Sequence, residues 1–527
     1  MVRSHVFVTQ GNLLHFACDA WLLPTDAALT VERGWRRKGG VGPGPLQLEL
    51  PQDFGSPSHL AEPVAGSTRP IAIATAVPWD GVVGTEGLSR VADAVRQFVD
   101  AAVAAVDRQQ PGRASAPRSR ILLAMPAFSM GKGGGAKRKG EVLAAITEAA
   151  RSAAQAATQR SGILVDVVLV LANPATYALA QRERRSADAT WHALTGGQRR
   201  AARHLAIFAR EGTLVPFMGA GVSMSAGAPG WGELLGLLAR QVGMDDSEIK
   251  ALRGGDRSML DQAAILRSRY SARYAQGSDA FSAAIANAVE RDRYGLAPAL
   301  LATLGTAEAI TLNYDTLFES ASADVAKPRR IIPDGGEAGA IRWLLKLHGT
   351  ATEPSSIVLT RDDYLGFATN RNALASIVKA TLMTRHLLFV GFGLRDDHFH
   401  EIVHDVRRAV PRGSGVGATA LTLWRDPLDA ELWSESLDLV PMAEPGEPVD
   451  VAARQLELLL DMLAAHAADG HEYLLSDAFA SVRSPAEHRL VDRLVGLQSA
   501  DEEERALPAW ARVQALLVEL GERATSS

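Results

Sequence analysis

Short apolar runs that end in glycine or in polar residues recur along this chain, and segments with helical periodicity separate them. In the first part of the chain such runs occupy 6–8, 20–23, 70–77, 121–125 and 163–172, and helical spacing occupies 91–106 and 141–158. Uninterrupted apolar runs are typical of buried strands, and apolar residues three and four positions apart are typical of helices. This alternation predicts a three-layer α/β domain with a largely parallel sheet over residues 1–188.

One stretch of the second half combines a strand pattern, a glycine turn and the start of a helix. The apolar run 214–218 leads into glycine-rich residues 219–221, and Trp231 begins a helical pattern that continues to 242. Glycine lets the backbone approach an anion closely, and a helix start presents amide donors, so the turn is predicted to bind phosphate. Its spacing is not that of the G-x-G-x-x-G fingerprint. Taken alone, the stretch is therefore also compatible with a buried strand that ends in a glycine turn.

Three later strand patterns also end in residues that carry chemistry. The apolar runs 309–312, 344–347 and 386–390 lead, respectively, into Asn313 and Asp315, into His348, and into Gly391, Phe392 and Gly393. Parallel strands deliver their carboxyl ends to one edge of a sheet, so these residues are predicted to converge with the glycine turn in one cleft. Glycine turns for phosphates, an amide and a carboxylate for ribose hydroxyls, and one imidazole suit a dinucleotide.

The remaining patterns complete the predicted domain organisation. Helical segments at 233–242, 246–252, 260–272 and 281–289 indicate a helical insertion that covers the cleft, and a helix at 451–467 closes this domain. The predicted segments are an α/β domain at 1–188, a doubly wound, Rossmann-like parallel-sheet domain at 200–468, and a helical C-terminal extension at 470–527.

Composition narrows the class of protein. The chain has 527 residues, of which 47% are hydrophobic and 22% charged, as expected for a globular protein of two or three domains. A net charge of -5 argues against sequence-independent DNA binding by the whole surface. Cys18 is the single cysteine, which excludes an intrachain disulfide and a cysteine-based zinc site. No apolar run approaches the ~20 residues of a membrane span, so a cytoplasmic protein without a membrane partner is predicted.

Three segments of the first domain contain further motifs: GNLLHFACDAWLLPTDAAL at 11–29, MPAFSMGKGGG at 125–135 and VDVVLVLANPATYALAQ at 165–181. These segments resemble macro domains, which bind ADP-ribose and related nucleotides. The resemblance implies an ADP-ribose-type nucleotide as ligand, bound by glycine-rich loops at 34–44 and 129–135. Asn12 stands where the family usually has an acidic residue, and residues 23–26 depart from its N-x-x-N segment. These departures favour a sensing, binding or assembly role over catalysis.

Four segments of the second domain resemble sirtuins, in the family's order. They are GAGVSMSAGAPGW at 219–231, TLNYD at 311–315, KLHG at 346–349 and FVGFGLRDD at 389–397. The resemblance implies NAD as substrate, with Asn313 and Asp315 near the nicotinamide ribose and His348 as general base. It also implies a cofactor-binding set formed by Gly219, Ala220, Gly221, Ser223, Pro229, Trp231, Gly391, Phe392 and Gly393.

Several of these residues have a second interpretation. Asp315 serves either the site or the cap of a helix at 316–320, and Ser223 either contacts the ligand or is a helix N-cap. Asp396 and Asp397 are interpreted as charges at a helix start, with a ribose contact as the alternative. His398, His400 and His404 are close in sequence but lack a further ligand, so no metal is predicted.

The departures from protein-deacetylating sirtuins indicate a different reaction. Their four-cysteine zinc module has no counterpart, helical patterns occupy its place, and Trp231 stands where deacetylases often have arginine. The pattern resembles the sirtuin-like effectors of bacterial anti-phage systems. That resemblance implies hydrolysis of NAD to nicotinamide and ADP-ribose, hence abortive infection by NAD depletion. Because constant NAD cleavage would be toxic to the cell, we expect the activity to be regulated by homo-oligomerisation, a partner or a small-molecule signal.

Two other functions remain open from the sequence. One is an ADP-ribosyl or acyl transferase that acts on protein. The other is a non-catalytic nucleotide-binding subunit of a larger complex with a motor ATPase, a nuclease or an Argonaute-like partner.

Overall fold

The structure is a computed structural model, in which the chain forms two compact units. One unit comprises Met1–Ala193 together with Ala468–Ser527, and the other comprises Leu194–Ala467. The structure describes residues 3–31, 35, 53–64, 70–78, 84–109, 120–131, 135–254, 256–274, 278–333, 335, 341–394, 397–409, 417–498 and 500–521. Most of the glycine-rich loop predicted at 34–44, residues 132–134 of the second loop, Arg395 and Asp396, and the side chains of Asp397 and His398 lie outside the described residues.

The first unit contains a six-stranded sheet with the order β1-β6-β5-β2-β4-β3. Its strands are β1 (Val6–Gln10), β2 (Ala20–Thr25), β3 (Ala61–Pro63), β4 (Ile71–Ala76), β5 (Arg120–Met125) and β6 (Leu164–Leu171). All neighbours pair in parallel except β3, which pairs antiparallel with β4 at the sheet edge. The largely parallel sheet predicted from the apolar runs is confirmed.

Helices pack on this sheet through apolar faces. They are α1 (Gly84–Gln109), α2 (Lys139–Ser161) and α3 (Pro174–Arg185). In α1, Val91, Val95, Phe98, Ala102 and Val106 recur three or four positions apart and are fully buried. Burying one such valine or phenylalanine stabilises the fold by roughly 1.5–3 kcal/mol.

The second unit contains a seven-stranded, entirely parallel sheet with the order β13-β12-β11-β7-β8-β10-β9. Its strands are β7 (Leu214–Met218), β8 (Glu308–Thr311), β9 (Arg330–Ile332), β10 (Trp343–Lys346), β11 (His386–Val390), β12 (Ala418–Trp424) and β13 (Asp438–Ala443). From β7 the chain builds outward on one side through β8 to β10, and then crosses to β11 on the other side of β7. The carboxyl ends of β7 and β11 therefore flank the topological switch point, where such sheets bind ligands.

Helices surround this second sheet and fill the connection between β7 and β8. They are α4 (Gly196–Arg210), α5 (Ala220–Met224), α6 (Trp231–Gln241), α7 (Asp246–Arg253), α8 (Met259–Arg273), α9 (Ser278–Val289), α10 (Leu296–Thr303), α11 (Leu317–Asp324), α12 (Arg361–Asn370), α13 (Asn372–Thr384), α14 (Asp397–Ala409), α15 (Pro427–Trp433) and α16 (Val449–Ala467). The predicted helical insertion is confirmed as α6 to α9, whose apolar faces pack into one cluster that includes Leu238, Leu266 and Phe281. No helix in the described ranges is both long and apolar enough to cross a membrane.

The segment after α16 is helical and belongs to the first unit. Its helices are α17 (Pro485–Gln498), α18 (Glu502–Ala506) and α19 (Trp510–Glu519). Glu487 accepts a hydrogen bond from Arg182 of α3 at 2.8 Å and one from Tyr473 at 3.0 Å. Val482 packs so closely on Gly140 of α2 that a Cβ at Gly140 would lie 2.5 Å from a valine methyl group. The predicted extension at 470–527 thus completes the first unit, and the chain returns to that unit after the second one.

A partly buried histidine at the start of β11 predicts a pH dependence of stability. The His386 ring stacks on Phe208 with centroids 4.1 Å apart, and its Nε2 lies 2.9 Å from Thr419 Oγ1. Burial, with a smaller effect from His204, lowers the pKa of His386 from 6.5 to about 4. Because the folded state favours the neutral ring, this contribution is complete above about pH 6.5 and is lost as the pH falls towards 4.

The expected result is a fall in the unfolding temperature of the second unit between pH 7.5 and pH 5 that is smaller in His386→Gln than in the wild type. Circular dichroism melts at the two pH values measure it. An equal fall in both proteins would show that other groups control acid stability.

Candidate functional site

Turns that follow β7, β8 and β11 are hydrogen-bonded to one another at the carboxyl edge of the second sheet. The Gly221 amide donates to the Gly391 carbonyl at 3.0 Å, which joins the β7 turn to the β11 turn. Asn313 Nδ2 donates to the Gly219 carbonyl at 3.0 Å, which joins the β8 turn to the same loop. The geometry thus brings together three of the turns that the strand pattern predicted to converge.

These turns need glycine because the β7 and β11 turns pack directly against each other. A Cβ at Gly219 would lie 2.5 Å from the Gly391 carbonyl oxygen, and one at Gly221 would lie 2.7 Å from Gly391 Cα. Gly391 has φ +63°, and its Cβ would lie 2.5 Å from the Val222 amide nitrogen. Any side chain at these positions would therefore push the two turns apart.

The backbone amides of the β7 turn differ in part from the sequence prediction. The amides of Gly219, Gly221 and Val222 donate to the carbonyls of Val390, Gly391 and Gly219, respectively. They preform the turn, whereas the sequence suggested amides left for a phosphate. Gly221 and Gly393 are exposed to solvent, so a ligand can approach the backbone there.

A chain of hydrogen bonds joins Asn313 to Asp315 through Ser223. Asn313 Nδ2 donates to Ser223 Oγ at 3.0 Å, and Ser223 Oγ donates to Asp315 Oδ2 at 2.6 Å. Ser223 and Asp315 are buried, while Asn313 is partly exposed. Because Nδ2 uses both hydrogens on protein acceptors, the Asn313 amide is oriented with Oδ1 as its acceptor for a ligand.

This arrangement bears on the helix-cap interpretations of Ser223 and Asp315. Ser223 lies within α5, whose N-cap is Gly219, so the N-cap interpretation of Ser223 is wrong. Asp315 Oδ1 accepts from the Leu317 amide at 3.1 Å, so Asp315 bonds to the first residue of α11, while the N-cap of that helix is Thr316. Its other carboxylate oxygen bonds to Ser223, so one carboxylate joins the start of α11 to α5.

His348 lies on the turn after β10, the strand adjacent to β8. It is only 2% exposed, and its ring meets the Tyr364 ring edge to face with centroids 5.4 Å apart. Its carbonyl accepts from the Val358 amide at 3.0 Å, and Arg371 donates to the carbonyl of the preceding Leu347 at 2.7 Å. The backbone on both sides of the imidazole is therefore fixed.

The other residues of the predicted cofactor-binding set are either packed against neighbouring side chains or partly exposed to solvent. Pro229 is buried, and Trp231 starts α6 and packs with Val358 and Tyr364. Phe392 packs against Phe217 and Phe399, with ring centroids 5.2 Å away in each case. Ala220 is partly exposed beside Gly221.

Sequence reasoning missed the residues that support this site, Lys346, Tyr364 and Arg371. Only Lys346 had a signal in the sequence, because a lysine interrupts the apolar run that precedes His348. Its ammonium is fully buried. A buried cation next to a candidate catalytic histidine is a reason to examine its partners.

The described residues contain no group of three or more histidine, cysteine, aspartate or glutamate side chains arranged to bind a metal. His400 instead lies with Nε2 2.9 Å from the Leu394 carbonyl oxygen and its ring beside Trp433.

Comparison with known proteins supports the assignment of the second unit. A SIR2-like domain matches residues 307–442, a range that extends from the start of β8 to the end of β13 and leaves the β7 turn outside. The chain is 28% identical over 209 residues to the NAD(+) hydrolase ThsA of Enterococcus faecium and 28% identical over 207 residues to the defense-associated sirtuin 2 of Bacillus subtilis. It is 26% identical over 213 residues to the NAD(+) hydrolase ThsA of Bacillus cereus (strain MSX-D12).

These matches cover part of each protein. They span 37%, 38% and 37% of this chain, and 40%, 20% and 40% of the three relatives in the same order. The chain thus matches less than half the length of each of these relatives. The second unit has a parallel, Rossmann-like sheet, as the sequence predicted, and its residues 307–442 are similar to SIR2-like domains.

Proposed function

We propose that the second unit hydrolyses NAD to nicotinamide and ADP-ribose, and that the protein acts in bacterial anti-phage defence by depleting NAD. The observation that carries the proposal is the pair of hydrogen bonds that joins Asn313 to Ser223 and Ser223 to Asp315. These bonds lie beside the switch point of the sheet, and the turn of Asn313 and Asp315 is next to the turn of His348. Two of the relatives are named NAD(+) hydrolases and the third a defense-associated sirtuin.

Each side chain has a role in breaking the bond between the ribose C1′ and the nicotinamide nitrogen. The electron pair of that bond leaves with nicotinamide, and the ribose passes through an oxocarbenium-like state. The Asp315 carboxylate and the Asn313 carbonyl oxygen place negative charge and an acceptor near the developing positive charge. His348 takes the proton of the water that attacks C1′, which yields ADP-ribose.

Buried surroundings favour this chemistry. His348, Ser223 and Asp315 are all almost completely removed from solvent. In such an environment charge interactions are stronger than in water. The glycine turns at 219–221 and 391–393 would carry the diphosphate of NAD, with the exposed backbone of Gly221 and Gly393 open to it.

Purified full-length protein tests the proposal directly. We expect nicotinamide and free ADP-ribose to form in equal amounts from NAD without any added acceptor protein, with both products quantified by liquid chromatography. A transferase would instead need an acceptor and would release little free ADP-ribose. Tight NAD binding without nicotinamide release, at all protein concentrations from monomer to oligomer, would contradict the proposal and favour a non-catalytic subunit.

The same proposal gives the first unit a binding or assembly role. Asn12 and Asp26, which depart from the macro-domain pattern, form local turns. Asn12 Oδ1 accepts from the Leu14 amide at 3.1 Å, and Asp26 Oδ1 accepts from the Ala28 and Thr30 amides at 2.9 and 2.7 Å. These bonds support a structural use of both side chains. An ADP-ribose-type nucleotide, a second copy of the chain or another defence protein is the proposed partner of this unit.

A further inference from the structure

Lys346 is a fully buried cation at the end of β10, two residues before His348. Its Nζ donates to the Asp315 carbonyl at 2.6 Å, to the Tyr314 carbonyl at 3.2 Å and to Glu319 Oε1 at 2.7 Å. The ammonium group has three hydrogens, so all its donors are used. Burial of an ion costs several kcal/mol, and a leucine would extend the apolar strand without that cost. This lysine therefore calls for an explanation beyond packing.

The acceptors of Lys346 lie in the segment that carries the candidate site. Both carbonyls belong to the turn after β8, between Asn313 and the start of α11. The Tyr314 carbonyl also accepts from the Ala351 amide at 2.7 Å, so the turn after β10 reaches the same oxygen. The Tyr314 hydroxyl donates to the Val358 carbonyl at 2.8 Å, and the Val358 amide in turn donates to the carbonyl of His348. The turns of Asn313 and His348 are thus joined by one hydrogen-bond network.

Glu319 completes the site of the cation from the first turn of α11. Its carboxyl group has a pKa raised by burial, and the Lys346 charge opposes that shift. The Glu319 carboxylate bonds to Lys346, whereas the Ser223 bond is made by the carboxylate of a different residue, Asp315. Glu319 can therefore be changed without removing the two bonds from Lys346 to the backbone.

We propose that Lys346 is a positioning residue, whose ammonium fixes the Tyr314 and Asp315 carbonyls and thereby sets the direction of the Asp315 carboxylate towards Ser223 and of Asn313 towards the substrate. Its effect on catalysis rests on the proposed NAD hydrolysis. Its effect on the turn does not. The contact path is direct, because Asp315 is bonded to Lys346 through its carbonyl and to Ser223 through its carboxylate.

The variants Lys346→Met and Glu319→Gln separate the effect of the bonds from Lys346 to the backbone from the effect of its ion pair with Glu319. Methionine keeps most of the chain length and removes all three donors, whereas Glu319→Gln removes the carboxylate and leaves the carbonyl bonds. Misplacement of catalytic groups by about 1 Å costs about 100-fold in rate, so we expect Lys346→Met to lower kcat for nicotinamide release by about that factor with little change in KM. Glu319→Gln is expected to keep a kcat close to that of the wild type.

A double-mutant cycle shows whether Lys346 acts through the Ser223 link. If it does, Lys346→Met lowers kcat much less in a Ser223→Ala background than in the wild type, because the link is already broken. Equal losses in both backgrounds would overturn the proposed path.

Hydrogen–deuterium exchange of the full chain tests the positioning without any turnover. In Lys346→Met the amides of residues 313–317 are expected to exchange faster, while those of β12 keep the wild-type rate and Glu319→Gln resembles the wild type.

If the wild-type protein releases no nicotinamide, the proposed function fails and exchange still decides the role of Lys346. Lys346→Gln, which keeps amide donors without the charge, covers the case in which Lys346→Met does not fold, and we expect lowered kcat and faster exchange. A folded variant with wild-type kcat and wild-type exchange overturns the inference.

Discussion

Asn313→Ala is expected to lower kcat for nicotinamide release by about 10³-fold, with little change in the unfolding temperature of the second unit. The side chain is partly exposed and makes two hydrogen bonds through Nδ2, to Gly219 and to Ser223. Alanine removes the acceptor Oδ1 and frees Ser223 to rotate, so the proposed ribose contact is lost and Asp315 is held less firmly. Steady-state release of nicotinamide and a thermal melt of each protein provide the two measurements.

Asn372→Ala is the matched control for this variant. Asn372 is an exposed residue at the start of α13, and the same chemical change there should alter neither kcat nor the melt. His348→Ala should also lose activity, by about 10²- to 10⁴-fold for a general base. An Asn313→Ala protein that turns over NAD at the wild-type rate would remove Asn313 from the mechanism.

Gly391→Ala is expected to destabilise the second unit by about 2–4 kcal/mol and to abolish activity with it. Gly391 has φ +63°, where an alanine is strained, and its Cβ would overlap the Val222 backbone at 2.5 Å. The neighbouring atoms belong to the main chain of the β7 turn and cannot rotate away, so the two turns must separate. Urea unfolding followed by fluorescence measures the loss.

Gly393→Ala is the matched control for stability, two residues further along the same loop. A Cβ there would meet no atom within 4 Å, and its φ does not lie in the left-handed region. The same substitution should therefore leave the unfolding midpoint near that of the wild type. Equal destabilisation by both variants would show that loop flexibility, and not the contact with Val222, is the cause.

The central part of the fold was predictable because buried parallel strands are apolar runs. The runs that became β7 and β11 were predicted with the bounds that the structure shows. The strands that were missed, β3, β9 and β13, all lie at sheet edges. An edge strand needs fewer apolar residues and tolerates proline, as Pro441 of β13 illustrates, so it lacks the pattern of a buried strand.

The site was predictable as a set of strand ends, and much less as a set of contacts. The turns of Gly219, Asn313 and Gly391 converge because they follow neighbouring strands of the sheet. Parallel strands end at the same edge, so this convergence is expected from the topology. By contrast, the bond between Ser223 and Asp315 joins residues 92 positions apart, and no local pattern encodes such a pair. The close contact between Gly219 and Gly391 was not predictable for the same reason, because a glycine in a turn does not indicate which other segment approaches it.

The return of the chain to the first unit after α16 has a consequence for biosynthesis. Residues 194–467 are contiguous, so the second unit can fold on the ribosome as soon as its last helix has emerged. The first unit then still lacks the segment of Tyr473, Val482 and Glu487 that packs on α2 and α3. The unit that contains the candidate NAD site is therefore complete along the chain before the segment that completes the first unit is made.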